Sequence, residues 1–98
     1  MDAITLSANN RNYILTPQGT NALCALEERW GKSFGALMSE LGVLGIEHMR
    51  LSTVRLFFQE CMHDKPTETD IGDLIDALGF DGISKAVNGL IVPGTERP

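Results

Sequence analysis

Cysteine is nearly missing from this chain. Cys24 and Cys61 are the two present, too few for a disulfide framework. Bases are scarce as well: eight Lys and Arg stand against thirteen Asp and Glu, a net charge of −5. A nucleic-acid surface needs clustered Lys and Arg to neutralise phosphates, so the balance argues against that class and fits a basic partner better. No apolar run approaches the ~18 residues of a membrane span. Met1-Asp2-Ala3 lacks the basic start and apolar block of a secretory leader. The expectation is a cytoplasmic protein without membrane or nucleic-acid partners. Motifs of catalysis are absent too: there is no Gly-rich phosphate loop, no G-x-S-x-G and no paired-carboxylate signature.

What is present is apolar periodicity. With 98 residues, 43% of them hydrophobic, the chain is long enough for one domain, expected over 1–92, with 93–98 as a flexible C-terminal tail. The fold class expected is mainly α: an N-terminal β-hairpin followed by a bundle of four to five short helices.

Residues 3–16 read as the hairpin. Asn9-Asn10 makes a two-residue turn, because Asn tolerates positive φ. That turn places Leu6 opposite Tyr13 and Ile4 opposite Leu15, all on one face, with Thr5, Ser7 and Asn12 on the other. Ile14 is the exception. A one-residue slip would scatter the set, so turn and register support each other. An isolated hairpin is marginal in water, so this one must lie on helices or pair with another chain.

Thr16-Pro17 reads as a helix start, with Leu23, Leu26 and Trp30 as the stripe and Gly31 as the stop. Cys24 and Cys61 both fall on apolar stripes and are expected to be buried thiols. Ser33 caps a second helix with Phe34, Leu37, Met38 and Leu41. Residues 42–51 are expected to be a partly tucked loop. Ser52 caps a third helix in which Val54, Phe57, Phe58, Cys61 and Met62 repeat at i, i+3, i+4, i+7 and i+8, the strongest stripe in the chain. Thr67 and Asp70 resemble a capping box, opening a helix on Ile71, Leu74, Ile75 and Leu78 that Gly79 stops. Asp81 caps a last helix with Ile83, Ala86, Val87 and Leu90. The acids Glu68, Asp70, Asp73, Asp76 and Asp81 read as a solvated face plus caps.

Candidate chemistry is weak at every position. Cys61, His63 and Asp64, with His48, contain metal-ligand types, but residues two apart on a helix point about 200° away from each other. A Cys–His nucleophile needs an exposed, activated thiol. The last two helices carry only Lys85 and Asn88 for reading bases. Asp81-Gly82 lacks the ligand spacing of an EF-hand. No metal, no cofactor and no catalytic residue is therefore assigned, and the chain is expected not to be an enzyme.

One longer pattern stands out: Asn12-Tyr13-Ile14-Leu15-Thr16, then Leu26-Glu27-Glu28-Arg29-Trp30-Gly31-Lys32-Ser33, Phe34, Ala36-Leu37, Leu51-Ser52, the Val54–Met62 stripe, Thr67 with Asp70, and Gly79 before Ala86-Val87. A hairpin ending in Tyr-x-Leu, a Leu-Glu-Glu-x-x-Gly helix end and further short helices resemble the tail assembly chaperones of long-tailed phages, especially the small type of prophages and gene-transfer agents. The resemblance covers roughly residues 10–91. The Leu41–Met49 segment is richer in glycine than that pattern.

The resemblance implies a non-enzymatic factor of the host cytoplasm, absent from the mature particle. Such a factor binds the tape-measure protein, with the tail-tube protein as a further partner. That task needs apolar surface to offer to a protein. The candidates for it are Val43, Leu44, Ile46 and Met49 in the loop, and Leu90 and Ile91 near the end. The alternative is a small acidic helical adaptor or regulatory protein-binding module. The hairpin's open edge adds an expectation of self-association into a homo-oligomer.

Overall fold

The computed structural model describes residues 3–93. The expected tail, 93–98, lies outside them except for Pro93.

Strands β1 (Ile4–Ala8) and β2 (Arg11–Leu15) pair antiparallel in the expected register, Leu6 opposite Tyr13 and Ile4 opposite Leu15. Asn9 and Asn10 both take positive φ, 54° and 61°, the two left-handed positions of a hairpin turn whose twist matches the strands. Tyr13 and Leu15 are buried and Ile14 is 60% exposed. Beyond the strands, Leu15 bridges to Met62, and the Thr16 amide donates to the Cys61 carbonyl at 2.7 Å. The Gln18 amide donates to the Leu90 carbonyl at 2.7 Å, and the Gln18 carbonyl accepts from the Val92 amide at 3.1 Å.

Those ties correct the expected start at Thr16-Pro17. Helix α1 spans Thr20–Trp30, with Gly19 as an N-cap that offers no side-chain bond. Residues 15–18 are occupied as an extended strap across the ends of two later helices, and tertiary pairing overrides the local helix signal. Leu23 and Leu26 are buried, with Trp30 partly so. Gly31 stops the helix at φ 65°, in the left-handed conformation that glycine adopts at least cost. Cys24 is exposed, contrary to expectation, and Cys61 is buried.

Helix α2 spans Phe34–Glu40. The Ser33 hydroxyl accepts from the Ala36 amide at 3.1 Å, the N-cap bond expected. Leu37, Met38 and Leu41 enter the core, whereas Phe34, in the first turn, stays 40% exposed. Helix α3 spans Leu51–Cys61 and begins at Leu51, with Arg50 rather than Ser52 in the cap position. Its stripe is the centre of the fold: Val54, Phe57 and Phe58 are fully buried, with Cys61 and Met62 nearly so.

The last two expected helices meet end to end within Glu68–Leu90, together α4, and Gly79 (φ 68°, ψ 176°) stops the first of them as expected. Thr67 caps it by accepting from the Asp70 amide at 3.1 Å. The helix resumes directly after Gly79, so Asp81 lies inside the second half instead of capping it. Ile71, Leu74 and Ile75 before the break, and Ile83, Ala86, Val87 and Leu90 after it, join one core cluster that also takes in β1 and β2. β1 crosses α4 at Gly89, where an added Cβ would come within 2.9 Å of Ile4 Cδ1. The result is the expected class: a hairpin, then helices around a single core.

Candidate protein-docking surface

The loop between α2 and α3 is closed at its base by one residue. The Glu40 carbonyl accepts from the Arg50 amide at 2.7 Å. The Glu40 carboxylate accepts from the Thr53 hydroxyl at 2.5 Å and from Lys32 Nζ at 3.1 Å. Hydrogen bonding to Thr53, opposed by partial burial and then assisted by Lys32, holds the Glu40 carboxyl below its ordinary value. Between these ties the chain turns at Gly42 (φ 83°) and Gly45 (φ 150°), then makes a single 3-10 turn at Ile46–His48.

A compact loop with joined ends presents side chains that a helix would hide. Leu44 is 66% exposed, Ile46 54% and Val43 38%. Met49 is partly buried against the core. With Phe80, Asp81 and Ser84 of α4, these four line one shallow depression of about 410 Å³. The structure thus brings together four of the six residues chosen from the sequence. It separates the other two. Leu90 is fully buried in the core. Ile91 is half-buried and bridges to Gln18. The stripe that carries Ile83 and Val87 continues into Leu90, which is why the core claims it. Leu90 therefore offers no exposed surface in this fold, and Ile91 lies apart from the loop.

Two exposed apolar residues here went unread in the sequence. Phe80, 56% exposed, sits directly after the Gly79 break, and Leu51, 51% exposed, opens α3. Phe80 follows the Gly79 stop and so reads as linker, but it belongs to the first turn of the next helix. Leu51 looked like loop because Ser52 looked like the cap. The usable signal was size: both are large apolar residues beside a helix boundary.

At the opposite end of α4, Arg11 Nη1 meets Asp70 Oδ2 at 3.0 Å and the Arg11 guanidinium lies over the Tyr13 ring at 4.8 Å. Arg11 first, then the Thr67 hydroxyl, holds the Asp70 carboxyl below its ordinary value. These contacts pin the hairpin to α4. Burial raises the Cys61 thiol to about 12, so at neutral pH it is a protonated core side chain rather than a nucleophile. His63, two residues on, is exposed. Among the described residues no three His, Cys, Asp or Glu side chains gather to hold a metal ion, and no helix is long and apolar enough to cross a membrane. Comparison of the chain with family models, with curated proteins and with solved structures gave no match.

Proposed function

We propose that this chain is a non-enzymatic, protein-binding assembly factor of the phage tail-chaperone kind. It engages the tape-measure protein in the host cytoplasm and stays out of the finished particle, with the tail-tube protein as a further partner. The observation that carries the reading is the depression where Val43, Leu44, Ile46 and Met49 meet Phe80. Exposed apolar side chains collected on one surface mark protein-binding sites more often than isolated ones do. The order of elements, a hairpin followed by helices, also agrees with what the resemblance implies.

Co-expression with a tape-measure fragment tests it. The expected outcome is a soluble complex that copurifies. An insoluble fragment with no complex recovered counts against the reading. The second reading, a small acidic adaptor or regulatory module, draws on the acids that flank the same surface, Asp76 and Asp81. Gene position separates the two, since the chaperone gene should lie between those for the tail-tube and tape-measure proteins.

The outer edge of β1 supports a further part of the proposal, a homo-oligomer. Its five residues, ITLSA, carry no charge and no proline, the usual guards against edge pairing. Light scattering showing only monomer at high micromolar concentration would remove that part.

A further inference from the structure

The depression around the loop does not end at Phe80. Phe80 also lines a second hollow with Leu51, Ile75 and Ile83. Leu51, Ile75 and Asp76 in turn line a third, an open groove of about 460 Å³ between α3 and α4 that reaches Arg55 and Glu68. Shared lining residues set the three side by side as one channel-like run of hollows. Its helical part from Thr69 to Leu78 spans about 14 Å at 1.5 Å per residue, and beyond the non-helical Gly79 it reaches Phe80 and the loop.

Leu51, Ile75, Phe80 and Ile83 supply its apolar lining. At Gly72, within the groove, an added Cβ would meet nothing within 4 Å. Its charge is predominantly negative. Arg55 is the one base along the walls, and it is paired with Glu68 at 3.2 Å. Asp73, Asp76 and Asp81 remain, with no second base among the residues lining the channel.

The walls also decide the occupant's conformation. α3 and α4 spend their backbone N–H and C=O groups internally, so an extended peptide laid between them would leave its own backbone unpaired. A helix brings its backbone already satisfied. A second copy docked face to face through this surface would set Asp73, Asp76 and Asp81 against their like, which is unfavourable.

We infer that the channel formed by α3, α4 and the Gly42–Met49 loop binds a basic amphipathic helix of a protein partner, apolar side chains inward and Lys or Arg over Asp73, Asp76 and Asp81. This rests on the protein-binding role proposed above and adds the partner's chemistry.

The probe is a labelled Leu/Lys peptide of about 18 residues, five helical turns, with Leu at i, i+3, i+4 and i+7. The controls are a scrambled peptide of the same composition and a Leu/Glu peptide of the same pattern. Fluorescence anisotropy with the full chain should show the patterned Leu/Lys peptide binding at least about tenfold tighter than either control. Phe80→Ser and Leu51→Ser alter exposed positions and keep every charge; each should weaken binding about tenfold, with unchanged circular dichroism. Backbone amide shifts should concentrate at residues 42–51 and 68–84.

Equal binding of patterned and scrambled peptides, or full affinity in both serine variants, overturns the inference. The two proposals fail separately. A tape-measure fragment held soluble by the Phe80→Ser, Leu51→Ser double variant removes the channel and leaves the assembly role. Peptide binding in the channel without any tape-measure complex removes the assembly role and leaves the channel.

Discussion

The Thr53 hydroxyl donates to the Glu40 carboxylate across 2.5 Å, latching the first turn of α3 to the last residue of α2. Everything between them is the loop that exposes Val43, Leu44 and Ile46. Thr53 is itself 3% exposed, so its hydroxyl needs this partner. Thr53→Val keeps the shape and removes the bond. The expected loss is about 1 kcal/mol in urea denaturation, the usual net value for one hydrogen bond. Hydrogen exchange of the loop amides should speed up more than that of α4.

The same carboxylate sets an acid limit. Glu40 and Asp70 both titrate below their ordinary values of 4.5 and 3.8. A depressed folded-state value stabilises the fold above the ordinary value, and that contribution disappears as pH falls through the folded one. The midpoint of thermal unfolding should therefore stay level from neutral pH down to about 5 and decline below it. The Glu40→Gln, Asp70→Asn double variant should start lower at pH 7 and lose less on acidification. A decline as steep as that of the unmodified chain would show that other groups control it.

Phe57 is fully buried at the centre of the α3 stripe. Phe57→Ala should cost about 3–5 kcal/mol, the range for a truncated core Phe. A loss below about 1 kcal/mol would mean that the stripe is not the core.

The two thiols should behave oppositely. Cys24 is exposed, while burial lifts Cys61 to about 12. One equivalent of Ellman's reagent should react with the native chain, and a second only after denaturation. Cys24→Ser should abolish the native signal.

Gly72 is in the middle of a helix with open space where a Cβ would sit. Gly72→Ala should raise stability by about 0.5–1 kcal/mol, by reducing the freedom of the unfolded chain. A loss on chemical denaturation would show that the helix needs glycine there.

The hairpin was legible because two independent signals coincide in it. Asn9-Asn10 dictates a two-residue turn, and the alternation of Ile4, Leu6, Tyr13 and Leu15 accepts only the register that this turn gives. The core of α3 was legible from period alone. Helix starts were not. Thr16-Pro17 and Ser52 carry good local signals, but the Thr16 amide goes to Cys61 and α3 begins one residue before Ser52. Such long-range bonds leave no local trace in the sequence. Cys24 was misplaced because small residues at the border of a stripe carry little information about which side they fall on. The proposed docking surface was legible on its loop side only. Its α4 side depends on the break at Gly79, where one helix ends and the next begins with Phe80 56% exposed.

The backbone of Gln18 is held by Leu90 on one side and Val92 on the other. The strap that leads into the first helix is therefore fastened in two stages: Leu15 and Thr16 can pair once Cys61 and Met62 are made, but Gln18 must wait for Leu90 and Val92. A ribosome-bound fragment ending before residue 90 would carry that strap half fastened. Removing the last residues of the structured region should therefore loosen the beginning of the protein as much as its end.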